Sequence, residues 1–301
     1  MPSRQPGHAM DLLSRIAEVI VPVFLIVGIG YGYARKHPPD LAGFNRIALD
    51  VLAPVLVYSA LASKDFRLAD HLPLLLGGTI LILGSGLLAW PLARALRVSP
   101  RTLVPVVMFN NCGNMGLPLA LLAFGAEHFG AAVALFAISN LLHFSIGARL
   151  TSRAARTREL LLSPVMVATA LGFASALIDI RPPDLILSGM QLLGDSMLPM
   201  MLFALGVRLT SLTRAGVALG FVGALARPLI GLAIGLPLAW ALGLEGAAKG
   251  QLLLFAALPP AVIQFMLAER YRQEPDKVAA MILVGNALAI VFVPLALALG
   301  L

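Results

Sequence analysis

Apolar stretches long enough to cross a lipid bilayer follow one another along almost the whole chain. A membrane-spanning helix needs about 20 residues that are mostly apolar. Ten such spans can be drawn, over residues 16–34, 43–62, 72–93, 102–124, 129–148, 161–180, 185–207, 215–241, 247–269 and 277–299. Hydrophobic residues make up 59% of the 301-residue sequence and charged residues only 12%, which excludes a soluble globular domain. We therefore predict an all-α polytopic membrane protein with ten transmembrane helices.

The basic residues between the spans predict how the chain is oriented. Counted together with the first residues of the spans that follow them, the connectors after the odd-numbered spans carry 15 Lys and Arg residues, whereas the N-terminus and the connectors after the even-numbered spans carry 6. Because Lys and Arg accumulate in cytoplasmic connectors, we expect both termini on the outside. The net charge of +7 has the same origin, and it does not indicate nucleic-acid binding.

Short sequence matches recur between the two halves of the chain at a nearly constant spacing. D-V-L-A-P at Asp50–Pro54 matches D-S-M-L-P at Asp195–Pro199, and Asn140 matches Asn286, at offsets of 145 and 146 residues. With five spans in each half, the halves must have opposite orientations in the membrane. The sequence therefore predicts two inverted five-helix repeats, over residues 1–150 and 151–301.

One span in each half contains residues that interrupt a helix. Span 4, residues 102–124, holds N-N-C-G-N-M-G-L-P at Asn110–Pro118, and span 9, residues 247–269, holds L-P-P-A-V at Leu258–Val262. Glycine and proline weaken a helix, and broken backbone at membrane depth occurs only where protein buries it or a cavity adjoins it. Two broken helices at matching positions of inverted halves indicate the central site of a transporter. Close packing of helices through small residues is the alternative for span 4.

We expect the substrate to bind at these breaks. The N-terminus of a half-helix offers free N–H groups and a partial positive charge, which suit a carboxylate. Amide side chains add hydrogen bonds without the cost of burying a charge. Bridging between helices is an equally weighted alternative for the amides of spans 5 and 10. The candidate substrate-binding residues are Asn110, Asn111, Gly113, Asn114, Gly116, Pro118, Asn140, Pro259, Pro260 and Asn286.

Among the charged residues within predicted spans, three are candidates for a functional role. Asp50 and Asp195 each stand four residues before a proline, at equivalent places in the repeat. Each is interpreted either as a proton or cation site, or as a partner for backbone groups that Pro54 and Pro199 leave unpaired. Asp50 can also reach the cytoplasmic interface. Arg227 lies inside span 8 and needs a partner because it keeps its charge; an ion pair with Asp195 is favoured over a clamp on a substrate carboxylate.

The residues around the two breaks resemble the auxin efflux carrier family. N-C-G-N-M-G-L-P-L at Asn111–Leu119 resembles the span-4 signature of that family. P-P-A at Pro259–Ala261, followed by A-E-R-Y at Ala268–Tyr271, resembles its span-9 counterpart. The resemblance covers essentially the whole chain, although the long hydrophilic loop that plant members carry after span 5 is absent. Bacterial members are taken to be permeases for malate and related organic acids.

The resemblance implies a ten-helix fold related to bile-acid symporters and NhaA-like antiporters. In that fold, broken spans 4 and 9 cross at the bilayer centre, between a scaffold domain and a transport domain that are each drawn from both repeats. The crossover prolines would fall on Pro118 and on Pro259 or Pro260, and the substrate-facing asparagine on Asn111 or Asn114.

On this basis we expect a secondary-active carrier of a small organic anion, a mono- or dicarboxylate, that works by alternating access in the bacterial inner membrane. No cofactor or metal is expected, and a coupling ion would be H⁺ or Na⁺. The resemblance leaves room for a homodimer through the scaffold domain. An intramembrane enzyme resembling the aspartyl proteases, and a sensor without transport, are the alternatives. We do not expect an enzyme, because L-L-G before Asp195 lacks the first glycine of a Gly-x-Gly-Asp motif.

Overall fold

The computed structural model describes residues 6–37, 39–64, 66–210 and 217–301, and these ranges contain helices and no β-strand. The prediction of an all-α fold is therefore confirmed. The N-terminal residues 1–5, predicted to lie outside, and residues 215–216 of predicted span 8 fall outside the described residues. The helices are α1 Pro6–Lys36, α2 Leu41–Ile47, α3 Ala53–Leu61, α4 Leu72–Ala95, α5 Pro100–Met108, α6 Leu117–Phe124, α7 Phe129–Leu142, α8 Ala148–Thr151, α9 Thr157–Leu161, α10 Pro164–Ile178, α11 Asp184–Asp195, α12 Met197–Leu209, α13 Val217–Ala241, α14 Gly246–Ala257, α15 Ile263–Arg270 and α16 Pro275–Gly300.

Seven helical stretches in the described part of the chain are long and apolar enough to cross a membrane. They are Leu12–Lys36, Leu41–Leu61, Leu68–Ala95, Ala126–Thr151, Asp184–Leu209, Leu219–Ala241 and Pro275–Gly300. The other three predicted spans, numbers 4, 6 and 9, correspond to shorter helices, of which α10 is continuous and the other two are divided. The arrangement as ten membrane spans in two inverted repeats stays a prediction.

The outer helices pack closely against their neighbours and carry apolar side chains on the surface of the protein. α1 lies against α12, where a Cβ atom on Gly206 would come within 2.0 Å of the Val27 carbonyl oxygen. Such an approach requires glycine, and small residues are typical of contacts between membrane helices. Leu185 of α11 and Trp240 of α13 are each 86% exposed, as expected for side chains that face lipid.

The two central helices stop in the middle of their apolar stretches. α5 ends at Met108, residues 109–111 are not helical, and the chain then enters a wide turn at Cys112–Gly116 that leads into α6. α14 ends at Ala257, and helix resumes only at α15. The break in span 9 contains Pro259 and Pro260, as the sequence predicts. Pro118 instead lies in the first turn of α6, where a missing N–H costs little.

Candidate substrate site at the paired helix breaks

The two non-helical segments pair with each other in antiparallel fashion. The Asn111 N–H donates to the Pro259 carbonyl at 2.7 Å, and the Ala261 N–H donates to the Phe109 carbonyl at 3.0 Å. Asn110 stands opposite Pro260 in this bridge. Backbone groups that a broken helix leaves unpaired are expensive in an apolar interior. The two breaks thus stabilise each other. Proline has no N–H to donate, and neither Pro259, which only accepts a hydrogen bond, nor Pro260 has to donate one in this pairing.

Three of the predicted site asparagines hold the breaks in place. The Asn110 side chain donates from Nδ2 to the Phe255 carbonyl at 2.6 Å, and Asn111 Nδ2 donates to Asn286 Oδ1 at 2.7 Å. Asn286 Nδ2 in turn donates to the Ile282 carbonyl at 2.8 Å. All three amides are buried. For Asn286 the structure therefore shows the bridging contacts of the alternative interpretation, between α16 and the break of span 4.

A cavity of about 360 Å³ lies beside the paired breaks, and the first residues of both half-helices line it. Cys112, Gly113 and Asn114 contribute from one break, and Ala261–Ile263 from the other. Because the N–H groups of a first helical turn have no partner within the helix, both ends present hydrogen-bond donors and a partial positive charge. The geometry suits an anionic ligand.

Asn114 and Asn140 are the amides that the fold leaves available at this cavity. Both line it, Asn114 half-buried and Asn140 buried. Within the described residues, neither side chain has a hydrogen-bond partner. Gly113 and Gly116 keep the turn close to its neighbours, since a Cβ atom would lie 2.9 Å from Phe136 and 2.7 Å from Leu258 respectively.

Polar and charged side chains line the far part of the cavity. Asn45, Arg208 and Arg270 stand at the ends of α2, α12 and α15, and Arg208 Nη2 donates to Asn45 Oδ1 at 2.8 Å. Asp50, in the wide turn Ala48–Leu52, is exposed on the same wall. Asn45, Arg208 and Arg270 were not among the predicted site residues. The two arginines were counted only as connector charges, although their position at the ends of spans is a signal that they could reach the cavity.

Arg227 does not form the predicted ion pair with Asp195. Its side chain is fully buried and donates from Nη1 to the Ala256 carbonyl and from Nη2 to the Phe255 carbonyl, both at 3.2 Å. Asp195 lies exposed at the end of α11. The C-terminal end of a helix carries a partial negative charge, and the end of α14 supplies the counter-charge that we assigned to a carboxylate. Arg227 is also absent from the residues that line the cavity.

His143 is a buried, hydrogen-bonded packing residue at this site. Its Nε2 atom lies 2.9 Å from Gln264 Oε1, and Gln264 Nε2 donates to Thr151 Oγ1 at 2.9 Å. The imidazole stacks on Phe109 with ring centroids 4.0 Å apart. These contacts tie α15 to the end of span 5.

Long apolar helices around a cavity at two broken helices indicate an integral membrane protein, and comparison with known families identifies its kind. The sequence model of a family described as "Membrane transport protein" matches residues 15–156 and 149–297. The chain therefore belongs to this family of membrane transport proteins, the auxin efflux carrier family, and the resemblance seen in its sequence is confirmed.

Three relatives illustrate the range of the family. The "Putative malonate transporter" of Rhizobium meliloti (strain 1021) is 24% identical over 306 residues, which cover 92% of this chain and 93% of that protein. An uncharacterized transporter of Methanocaldococcus jannaschii is 21% identical over 300 residues, covering 92% of this chain and 96% of that protein. Auxin efflux carrier component 8 of Arabidopsis thaliana is 26% identical over 140 residues, covering 44% of this chain and 38% of that protein. The family and these names indicate a transporter rather than an enzyme.

Proposed function

We propose that this protein is a secondary-active carrier that moves a small organic anion, a mono- or dicarboxylate, across the bacterial inner membrane by alternating access. The observation that carries the proposal is that both half-helix N-termini line one cavity together with Asn114 and Asn140. The Rhizobium relative, whose name refers to malonate, supports an organic acid as the substrate class.

A site built in this way can bind an anion and still release it. Free N–H groups and neutral amides attract a carboxylate through hydrogen bonds of fixed geometry. A hydrogen bond to a charged group contributes roughly 1.5–3 kcal/mol, so several of them give useful affinity. At the half-helix ends and at Asn114 and Asn140 the carboxylate is released from hydrogen bonds and not from an ion pair, which favours rapid turnover.

The ten-span, two-repeat architecture is supported by which helices pack against each other. α1 of predicted span 1 packs on α12 of span 7, and α10 of span 6 packs on α3 of span 2. An inverted repeat that exchanges span 1 with span 6 and span 2 with span 7 produces this pair of contacts. We therefore propose that the paired breaks are the crossing of spans 4 and 9, between scaffold and transport domains drawn from both repeats.

Contacts between connectors agree with the proposed topology. Lys64 pairs with Asp184 at 2.9 Å, which joins the connectors after spans 2 and 6. Arg156 N–H donates to the Tyr271 hydroxyl, which joins those after spans 5 and 9. Each contact links connectors that a ten-span topology places on the same side of the membrane. Because Arg208 and Arg270 line the cavity, we propose that it opens to the arginine-rich, cytoplasmic side, with both termini outside.

Binding of malonate to the purified protein, followed by calorimetry in detergent, tests the proposed site. Asn114→Ala should weaken binding about ten- to a hundredfold, the loss expected for one hydrogen bond to a charged group. Asn114→Asp should bind more weakly still, because it places a negative charge against the carboxylate.

The matched control is Gln191→Ala, which removes an exposed amide of α11 away from the cavity. Its affinity should equal that of the wild type, and all three variants should elute as single symmetrical peaks. If both Asn114 variants bind malonate and related carboxylates like the wild type, the anion binds elsewhere and the proposed site is wrong.

A further inference from the structure

The buried guanidinium at the break of span 9 has a consequence for the driving ion. We propose that Arg227 is a built-in cation: it occupies two carbonyl oxygens at the end of α14, those of Phe255 and Ala256, where a carrier with broken helices would bind a coupling sodium ion. Anion transport is then independent of sodium. The inference rests on the proposed carrier function, and it states that transport of the anion through the same site is not coupled to sodium.

The end of α14 shows where the acceptors of a cation site would lie. The last C=O groups of a helix have no partner within the helix. Here the Leu254 carbonyl accepts from the Leu258 N–H at 3.1 Å, and the Phe255 and Ala256 carbonyls accept from Arg227. Asn110 Nδ2 adds a second hydrogen bond to the Phe255 carbonyl. Both carbonyl oxygens are thus engaged by protein donors.

The surroundings of Arg227 are built to hold a cation permanently. The side chain is 0% exposed, and no carboxylate in the described ranges lies within salt-bridge distance of it. Gly231, one turn further along α13, leaves the space: a Cβ atom there would lie 2.0 Å from the Ala256 oxygen and 2.4 Å from Arg227 Nη1. Since guanidinium stays charged at every accessible pH, this positive charge is present throughout the cycle.

In carriers with discontinuous helices, half-helix C-terminal ends and unwound carbonyls coordinate the coupling sodium ion. At α14 those oxygens already face a positive charge, so a sodium ion would meet repulsion and engaged acceptors. At the end of α5, the Phe109 carbonyl accepts from the Ala261 N–H, and the side chains of Met108, Phe109 and Ala261 lie in an apolar cluster. Arg227 therefore supplies the positive charge beside the crossing that a bound sodium ion would otherwise bring with the anion.

Uptake of labelled malonate into proteoliposomes tests the proposal in the wild type. External sodium is compared with N-methylglucamine at the same ionic strength, with the membrane potential clamped by potassium and valinomycin. We expect equal initial rates in the two buffers. A sodium-dependent increase of about tenfold, the effect of roughly 1.4 kcal/mol of coupling, would overturn the proposal.

The second test removes the built-in cation. Arg227→Ala should unfold at a lower temperature in detergent than the wild type, because the Phe255 and Ala256 carbonyls lose their donors. Methylguanidinium should restore part of the loss, whereas N-methylglucamine should not. The control is Arg94→Ala, which removes an arginine that lies over the Trp90 ring, 5.8 Å from its centroid; it should show no guanidinium rescue.

The two tests separate the failure of this inference from failure of the proposed function. Melting requires no transport, so a wild type that takes up no carboxylate in any buffer rejects the carrier, while the melting data still decide the role of Arg227. Should Arg227→Ala not express, Arg227→Lys keeps the charge and should retain sodium-independent uptake. Arg227→Ala that melts like the wild type, or a wild type stabilised by sodium over N-methylglucamine, contradicts the built-in cation.

Discussion

Asn140 and Asn286, at matching positions of the proposed repeat, are expected to have separate roles. Asn286→Ala leaves the buried Asn111 Nδ2 without its acceptor, and an unpaired buried donor costs about 1–3 kcal/mol. We expect a lower melting temperature in detergent for this variant. Asn140→Ala removes no side-chain hydrogen bond in the described residues, so it should melt like the wild type and bind malonate about tenfold more weakly. Equal melting of the two variants would contradict this division.

Gly231, beside the buried guanidinium of Arg227, should tolerate an added methyl group less well than an open glycine in another helix. Gly231→Ala places a methyl group against the Ala256 oxygen and Arg227, and overpacking of this kind costs about 1–3 kcal/mol. Gly28→Ala, in α1 with nothing within 4 Å of the added Cβ, should be neutral or should stabilise by up to about 1 kcal/mol. Thermal unfolding in detergent measures both. If the Gly231→Ala protein unfolds at the same temperature as Gly28→Ala, α13 and the end of α14 do not pack as closely at Gly231 as the structure indicates.

Single residues show where sequence reasoning stops. The run Asn110–Pro118 predicts a break, because glycines and a proline weaken a helix and amides are unusual inside an apolar one. Which amide binds a helix and which stays available depends on distances between spans. Asn111 meets Asn286 only because the break of span 4 lies against α16. The predicted partner of Arg227 was wrong for a related reason. From the sequence we considered only carboxylate side chains as partners, whereas in the structure the backbone carbonyls at the end of α14 accept its hydrogen bonds.

At the scale of elements, the break in span 4 begins earlier than Gly113, Gly116 and Pro118 suggest. Helix stops at Met108, before the first asparagine, and the glycines lie in the wide turn at Cys112–Gly116. The cause is the partner segment, since Asn111 and Ala261 exchange backbone hydrogen bonds with Pro259 and Phe109. Local propensity predicts that a helix will end; pairing between segments decides at which residue.

The short helix α9 is tied to α15 by the ion pair between Glu159 and Arg270, and Glu159 also pairs locally with Arg156. Glu159 accepts from Arg156 at 2.9 Å and from Arg270 at 3.3 Å. The hydrogen bond from Arg156 lowers the pKa of the Glu159 carboxyl below its usual value. Because the pKa is lower in the folded protein, the contact stabilises above the ordinary carboxyl pKa and is lost as the pH falls through the lowered one.

Glu159→Gln should therefore free α9 at neutral pH. We expect faster deuterium exchange of the 157–161 amides, with little change in melting temperature because exposed ion pairs contribute little to stability. Glu269→Gln, exposed on α15, is the control and should leave that exchange unchanged. If Glu159→Gln exchanges like the wild type at pH 7, the ion pairs do not hold this helix.

At the scale of the whole molecule, the two broken spans occupy the interior and the uninterrupted helices surround them. Val106, Leu117, Leu119 and Leu252 are almost completely buried, whereas Leu185 and Trp240 face outward. Hydropathy predicts the spans because every one of them is apolar, but it does not separate helices that face lipid from helices that face protein. The cavity therefore could not be located from composition, only from the breaks.

The direction in which the cavity opens gives the last prediction. Met266 of α15 lines the cavity and is 39% exposed, so a cysteine there reports access to the site. In a Cys112→Ala background, an impermeant thiol reagent should modify Met266→Cys in inside-out vesicles and not in right-side-out vesicles, and malonate should slow the reaction. Leu301→Cys, at the exposed C-terminus, should show the reverse sidedness without malonate protection, because both termini are proposed to lie outside. Equal modification of Met266→Cys from both sides, or no protection by carboxylates, would contradict a cytoplasm-facing substrate cavity.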